Sequence, residues 1–139
     1  MPLLRAGKHV NPKTIGLQVG AMRQWFPQFS YRRNRNCLIW TGNLKPRRES
    51  PDYQVQIKYS FRYHPRVYVL SPEISRNAPH TYHDESTLCL YHPYDNDWSA
   101  EKLIACTIVP WTVEWLRYYE IWCTTGKWFG PEAPHSGRK

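Results

Sequence analysis

The alternation of side chains over residues 53–60 constrains the fold of this chain more than any other segment. Every second residue from Tyr53 to Tyr59 is aromatic or β-branched, and the residues between them, up to Ser60, are polar or charged. Successive side chains of a strand point to opposite faces, so this pattern is typical of a half-buried antiparallel strand. The segment therefore predicts a sheet with one covered face.

Two neighbouring segments also read as strands. Residues 37–42, CLIWTG, alternate and are rich in β-branched and aromatic residues, and we expect the strand to end in a turn at Gly42 and Asn43. Residues 66–70, RVYVL, lie between Pro65 and Pro72. Three consecutive strands with short connections predict an antiparallel meander.

A helix is predicted before the strands. Asn11 is a suitable N-cap, and Pro12 suits the first helical position, where its missing donor costs nothing. Apolar residues then form one stripe until Pro27 stops the pattern: Ile15, Val19, Met22 and Phe26. The sequence therefore predicts an amphipathic first helix.

Further helices are predicted near the C-terminus. Ser99 is a candidate N-cap for a helix that continues until Pro110 kinks or restarts it. A second helical face starts at Trp111 and ends at Thr125 and Gly126. Helix, antiparallel strands, loop and helices in this order predict an α+β fold.

Composition limits the class of protein. The 139 residues suggest one domain that can bury a core, and an aromatic share of 15% indicates that this core is aromatic. The formal charge of +8 favours association with nucleic acid or an acidic protein surface without identifying a function. The basic stretch at residues 31–36 could touch phosphates, although a solvated strand end is the favoured interpretation.

The cellular compartment of the protein is predicted from its apolar segments and its cysteines. No apolar segment of signal-peptide length begins the chain, and the run from Leu103 to Val113 is too short to cross a bilayer. The four cysteines have no close pairing, which favours reduced thiols. We therefore expect a cytoplasmic protein without a membrane partner.

The stretch from Pro79 to Trp98 is the predicted site of chemistry. It is too polar for a core strand and too irregular for a helix, and Cys89 lies at its middle. The other cysteines occupy apolar segments and read as small core residues: Cys37, Cys106 and Cys123. Cys89 is therefore predicted to be a nucleophile on a surface turn.

A cysteine in such a loop suits acyl transfer. A thiolate can accept an acyl group as a thioester, which is reactive enough to be passed to an amine. Three residues that follow Cys89 could orient or deprotonate the amine, or could simply form turns: His92, Asp95 and Asp97.

Motifs along the chain resemble the ubiquitin-conjugating enzyme family. The family's strand start, His-Pro-Asn turn, Ile-Cys-Leu motif and Trp-Ser-Pro helix start are matched by residues 63–67, YHPRV, 80–82, HTY, 88–90, LCL, and 98–100, WSA. More narrowly, the segments WTGNLKP, LCLYHP, WSAEKLIACTIVPWTVEWLRYYEIW and TGKWFGPEAPH are similar to the conjugating-enzyme domains of bacterial CBASS antiphage operons. The resemblance covers residues 12–125 and implies a stand-alone form.

The resemblance implies a fold and a set of catalytic residues. It implies one domain over residues 1–139 with the UBC-like α+β fold, in which an N-terminal helix, an antiparallel meander and C-terminal helices surround a catalytic loop. Cys89 would carry the thioester. Tyr82 stands where the family has the Asn of its His-Pro-Asn turn, and its hydroxyl can donate to an oxyanion. His80 could share in catalysis, or could hold the turn through hydrogen bonds to the backbone.

The resemblance also implies partners. The acyl donor would be the C-terminal tail of a cGAS-like nucleotidyltransferase (CD-NTase), and no cofactor is expected. The sequence has no glycine-rich phosphate loop. The acyl group must therefore arrive already activated, from this partner or from a separate activating enzyme.

Two other functions compete with acyl transfer. Four residues of the loop could ligate a structural zinc ion in a basic nucleic-acid-binding module: His80, His83, Cys89 and His92. One cysteine among three histidines is a weak zinc pattern, and the basic residues cluster elsewhere, so nucleic acid is not the expected partner. The third interpretation is a relative that docks a partner without catalysis.

Overall fold

A four-stranded antiparallel sheet forms the body of the fold, in a computed structural model that describes residues 13–60, 64–82, 86–90 and 98–131. The strands follow chain order across the sheet: β1 (Ser30–Asn34), β2 (Cys37–Leu44), β3 (Tyr53–Ser60) and β4 (Arg66–Ser71). The predicted meander is confirmed and gains a strand, because the first four residues of the basic stretch lie in β1 and the last two form the turn to β2.

The predicted turn at Gly42 and Asn43 is wrong. Both residues lie within β2, where Gly42 pairs with Val55 of β3. A Cβ atom at Gly42 would lie 2.7 Å from Cγ of Phe29, so glycine is needed here for the close approach of Phe29. The strand continues to Leu44 before the chain turns back.

The first helix, α1, spans Ile15–Trp25 and begins later than predicted. Thr14 is the N-cap, and its hydroxyl accepts a hydrogen bond from the backbone N–H of Leu17 at 3.1 Å. The predicted cap, Asn11, lies outside the described residues together with Pro12. Because residues 13 and 14 are not helical, the predicted start is wrong, whereas the predicted stop before Pro27 is confirmed.

A buried amide joins α1 to the C-terminal part of the chain. Gln18 is 1% exposed, its Nε2 donates to the carbonyl of Lys102, and its Oε1 accepts from the backbone N–H of Ile104, both at 3.0 Å. These bonds satisfy the buried amide group at both ends. They hold α1 against the segment that precedes the long helix.

The predicted helix from Ser99 is also wrong. Residues 99–103 are not helical, and a short 3-10 helix covers Ile104–Cys106. The long helix α2 spans Ile108–Thr125, with Pro110 in its first turn, where no intrahelical donor is lost. Its predicted end is confirmed, since Gly126 has a φ of 78° and donates its N–H to the carbonyl of Trp122 at 2.7 Å.

One hydrophobic cluster includes the inward face of the sheet and the buried face of α2. A polar clamp reinforces it at Glu120, a residue of α2 whose side chain is 14% exposed. The carboxylate accepts hydrogen bonds from Arg47 Nε at 3.1 Å, Ser50 Oγ at 2.9 Å and the Tyr53 hydroxyl at 2.8 Å. The clamp fixes the β2–β3 connection and β3 to the helix.

The predicted α+β class is confirmed by this sheet and the two helices, α1 and α2. Over the part of the chain that the structure describes, neither helix combines the length and the apolar character that crossing a membrane requires.

Candidate active site

A small hairpin presents Cys89. Its strands are β5 (Thr81–Tyr82) and β6 (Thr87–Leu88), which pair antiparallel, with Thr81 opposite Leu88. Cys89 follows β6 directly, and its backbone N–H donates to the carbonyl of His80 at 2.8 Å. This bond continues the register of the hairpin by one residue pair, so the backbone of Cys89 is fixed by that of His80.

The thiol of Cys89 lies beside the hydroxyl of Tyr82. The Sγ–H group donates to the Tyr82 oxygen at 3.4 Å. Two of the three predicted catalytic side chains are therefore in contact. They are seven positions apart in sequence, and the pairing of β5 with β6 brings them together.

His80 contributes through its backbone. Its φ of 56° lies in the left-handed region, which is uncommon for a residue with a Cβ atom. Its carbonyl accepts from the Cys89 N–H and from Trp115 Nε1 at 3.1 Å, so α2 holds the hairpin at this oxygen. The imidazole packs on Trp128, with ring centroids 5.0 Å apart.

Buried residues anchor the stretch at both ends. Ala78 is 1% exposed, and its carbonyl accepts from the Thr81 hydroxyl at 3.2 Å. Trp98 is 2% exposed, donates from Nε1 to the Thr107 hydroxyl at 2.9 Å and meets the ring of Tyr59 edge-on at 5.4 Å. The core therefore sets where the stretch that contains Cys89 begins and ends.

The predicted exposure of the cysteines is wrong. Cys89 is only 5% exposed, whereas Cys106 and Cys123 are exposed and Cys37 is half-buried. Cys89 lies between Leu88, a core residue, and Leu90, which packs against the core. The polar composition of the stretch suggested a surface turn, but the hairpin carries its second strand, and Cys89 with it, inward.

Several predicted site residues lie outside the described residues: His83, His92, Asp95 and Asp97. Their roles stay predictions, as does the zinc set that includes two of them. Among the residues that the structure does describe, no three of the types His, Cys, Asp and Glu are grouped so as to hold a metal ion.

A cleft of about 530 Å³ lies alongside the hairpin. Its size falls in the range of small-ligand sites, about 300 to 1,000 Å³. One wall comes from β4 and the loop after it, and the other from the hairpin; the lining residues are Val69, Glu73, Ile74, Ser75, Arg76, Thr81, Ser86 and Leu88. The hairpin wall includes Leu88, the residue that precedes Cys89, whereas Cys89 and Tyr82 do not line the cleft.

The loop wall of the cleft is tied to α2. The Tyr119 hydroxyl accepts from the Ser75 N–H at 2.9 Å, and burial raises the pKa of Tyr119 above its usual 10.0, so the phenol remains neutral. Sequence reasoning missed this wall. The sequence held one indication of this wall. The apolar Ile74 lies among turn-forming and charged residues that connect a strand to the stretch containing Cys89.

Sequence reasoning also missed the support that Trp115 and Trp128 give to His80. Both residues lie in the aromatic C-terminal block, which core packing alone can explain. Only the structure shows that the indole N–H of Trp115 donates to the backbone carbonyl of His80 in the hairpin segment.

Comparison with known proteins gives one family. A family model described as the type II CBASS E2 protein matches residues 18–136, which is most of the chain. A search of curated proteins found no match. The matched region extends from α1 through the sheet and the hairpin to beyond α2.

Proposed function

Since this chain belongs to the type II CBASS E2 family, we propose that it is a ubiquitin-conjugating-like acyl transferase with Cys89 as its nucleophile. In this proposal the four-stranded meander, the hairpin and the helices form a UBC-like domain. The observation that carries the assignment is the contact between Cys89 Sγ and the Tyr82 hydroxyl at 3.4 Å. The hydrogen bond of Cys37 goes instead to a backbone carbonyl, that of Leu38.

The first step forms a thioester. The Cys89 thiol gives up its proton to solvent, the resulting thiolate attacks the activated carbonyl carbon at the C-terminus of a donor protein, an S–C bond forms, and the activating group leaves with the electron pair of the broken bond. In the second step an amine attacks the thioester carbon. A C–N bond forms, the C–S bond breaks, the thiolate is regenerated, and the proton lost by the amine nitrogen passes to solvent.

Tyr82 is the proposed oxyanion donor. In the resting site its oxygen accepts from the thiol, which holds the hydroxyl next to the carbon that will react. Once the sulfur is acylated it has no proton to donate, and the hydroxyl can rotate to donate to the oxyanion. One such donor contributes roughly 3 to 4 kcal/mol to the stability of the transition state in other enzymes.

The burial of Cys89 adds a requirement. Because Cys89 is only 5% exposed, its sulfur cannot meet a protein tail until neighbouring groups separate. The hairpin strands have two residues each, and such short elements open at low free-energy cost. We therefore propose that docking of the donor opens the hairpin and uncovers the thiol, so that acylation is coupled to recognition of the partner.

The proposed donor is a cGAS-like nucleotidyltransferase, bound through its C-terminal tail. The cleft beside the hairpin supports this choice, because its volume of about 530 Å³ can take a short extended peptide. Conjugation would then regulate antiphage signalling. A separate activating enzyme supplies the activated tail where the partner does not.

The test is an adduct assay. The protein is incubated with the nucleotidyltransferase, and with the activating enzyme and ATP in a parallel reaction, and is resolved on a non-reducing gel. We expect an adduct that hydroxylamine removes, that is absent from Cys89→Ala and that is retained in Cys106→Ala. An adduct that survives in Cys89→Ala would refute the assignment.

The Tyr82→Phe variant tests the oxyanion role. It should bind the donor with unchanged affinity but form the adduct roughly a hundredfold more slowly, the usual effect of removing one oxyanion donor. Equal rates for Tyr82→Phe and the unmodified protein would exclude Tyr82 from catalysis. Stable binding of the nucleotidyltransferase without any adduct would instead identify a non-catalytic docking protein.

A further inference from the structure

Strand β1 is an edge of the four-stranded sheet and pairs with β2 on one side only. The two strands are joined by a turn of two residues, and Asn34 lies opposite Cys37 at the end of the ladder. In such a hairpin the closing pair exchanges hydrogen bonds, and bonded pairs alternate along the strands. The backbone N–H and C=O groups of Tyr31 and Arg33 therefore point away from β2.

These outward groups are available for pairing with another chain. Within the described ranges, no backbone group outside the β1–β2 ladder bonds to the backbone of Tyr31 or Arg33. A row of unpaired backbone donors and acceptors is a template on which an extended peptide can add as a strand. The edge thus offers the backbone half of a binding site.

Three arginines give this edge a positive charge. Arg32 and Arg33 lie in β1, Arg35 lies in the turn, and all three are exposed. Neither β1 nor β2 contains an Asp or a Glu, and none of the three forms an ion pair with a described residue. Arg33 Nε donates to the carbonyl of Arg35 at 3.5 Å, which leaves its charge unneutralised.

The turn also holds its arginine in a conformation that arginine seldom adopts. The φ of Arg35 is 49°, in the left-handed region, where two-residue hairpin turns usually have Gly, Asn or Asp. Local preference therefore does not account for an arginine here, and departures of this kind are expected at functional positions. The turn extends the positive charge of the edge beyond β1.

We propose that β1 binds an acidic, extended segment of a partner protein, which adds to the sheet as a further strand. The backbone of the segment bonds to the outward groups of Tyr31 and Arg33, and its carboxylates pair with the arginines. Successive side chains of a strand point to opposite faces, so Arg32 and Arg33 lie on different faces of the sheet. The segment that fits best therefore carries two adjacent acidic residues, one for each face.

Two other occupants fit this edge less well. A second copy of this chain would set its own arginines against these, and like charges opposite each other destabilise a strand pair. Single-stranded nucleic acid needs open aromatic faces on which its bases stack. The aromatic residue of β1, Tyr31, is only partly exposed and packs on Trp40, with ring centroids 5.4 Å apart.

The edge lies across the sheet from the site of acyl transfer. The strands follow the order β1 to β4, and β4 forms one wall of the cleft beside the Cys89 hairpin. A strand added to β1 therefore leaves that cleft open. The inference goes beyond acyl transfer, because a partner can be held at β1 while the donor occupies the cleft.

The test uses a short synthetic peptide of alternating Thr and Val residues with two adjacent Asp residues at its centre. It is titrated into the isotope-labelled protein and followed through backbone amide NMR signals. We expect saturable shifts at the amides of Tyr31 and Arg33 and none at β4. The same peptide with Asn in place of both Asp residues should bind roughly tenfold more weakly, since it loses two ion pairs.

Two substitutions of Arg33 separate charge from backbone pairing. Arg33→Gln removes the guanidinium and should weaken binding about threefold. Arg33→Pro removes the same charge and also the outward N–H, a position that proline tolerates on an edge strand, and should weaken binding roughly fivefold more. Unchanged β2 amide signals check that the ladder survives. Arg48→Gln is the matched control, since this exposed residue lies in the β2–β3 connection, at the other end of the sheet.

A peptide methylated at its central amide nitrogens keeps both carboxylates but loses donors of the added strand. Equal affinity of the methylated and unmodified peptides would overturn the proposal, because it would show attraction by charge without strand pairing. Absence of saturable binding, or equal weakening in Arg48→Gln and Arg33→Gln, would also overturn it. So would tighter binding of a single-stranded oligonucleotide at the same amides, which would assign the edge to nucleic acid.

Cys89→Ala should bind the peptide with the same affinity as the unmodified chain. Failure of the adduct assay would therefore leave this inference standing, and failure of the titration would leave the assignment of Cys89 standing.

Discussion

Replacing Trp115 with phenylalanine tests whether α2 holds the Cys89 hairpin closed. Trp115 is 4% exposed, stacks on Tyr119 at 5.3 Å and donates from Nε1 to the carbonyl of His80 at 3.1 Å. That carbonyl also accepts from the Cys89 N–H. Phenylalanine keeps an aromatic ring in place but removes the donor, so the hairpin loses its bond to the helix.

The expected energies follow from these contacts. Loss of the hydrogen bond costs about 1 kcal/mol, because the His80 oxygen keeps its second donor. The smaller ring costs roughly 1 to 2 kcal/mol more through the void it leaves. For a chain of this length the melting temperature should fall by roughly 6 to 10 °C. The loss of the hydrogen bond, about 1 kcal/mol, acts on the hairpin itself. It should raise the fraction of molecules in which the hairpin is open about fivefold.

The assay is the rate of Cys89 alkylation by iodoacetamide, read by mass spectrometry, with the exposed Cys106 as internal reference. We expect about a fivefold faster reaction of Cys89 in Trp115→Phe. Trp122→Phe is the matched control, since Trp122 also stacks on Tyr119 and packs against the core. Equal Cys89 rates in both variants would refute the idea that this indole holds the hairpin.

Three further predictions concern the body of the fold. Glu120→Gln should lower the free energy of unfolding by about 1 to 3 kcal/mol in urea titrations, because the clamp loses its charge-assisted bonds, and an unchanged midpoint would contradict its role. Gly42→Ala should cost about 1 to 3 kcal/mol because a Cβ atom would meet Phe29, whereas Gly20→Ala, with open space around it, should stabilise α1 by about 0.5 to 1 kcal/mol. Burial, and then Glu120, raise the pKa of Tyr53 above its usual 10.0, so the unfolded chain loses this proton first and stability should fall as the pH rises above 10. Tyr53→Phe should show a flatter decline over that alkaline range in the same urea titrations, and a slope equal to that of the unmodified protein would contradict the assignment.

Strands and helix ends with local determinants were predictable from sequence. Strand β3 follows from its period of two, and β4 from the prolines on either side. The end of α2 follows from Gly126, which adopts the left-handed conformation that glycine permits. In each case the residues that give the sequence pattern lie in or directly beside the element that they predict.

Features that depend on distant neighbours were not predictable. Strand β1 is polar and largely exposed, so only its pairing with β2 identifies it. Gly42 read as a turn because the close approach of Phe29 is not visible in sequence. The contact between α1 and the segment before α2 depends on Gln18, whose buried amide bonds to residues 84 and 86 positions away.

The sequence named candidate site residues but could not predict their environment. The resemblance to a family singled out Cys89 and Tyr82, and the structure brings them into contact. Strands of two residues are too short for periodicity to reveal, so the hairpin was missed, and with it the burial of Cys89. The part played by Trp115 needed three-dimensional contacts across 35 positions of sequence.

The left-handed backbone at His80 changes how substitutions there should be judged. The oxygen that accepts hydrogen bonds from Cys89 and Trp115 is the main-chain carbonyl oxygen of His80. Any residue that tolerates the left-handed conformation can therefore supply this acceptor. Asparagine or glycine would do so readily, while valine or isoleucine would strain the chain and turn the oxygen away. A histidine at this position is therefore no guide to the chemistry of its ring, since the bond to Cys89 needs only the main chain.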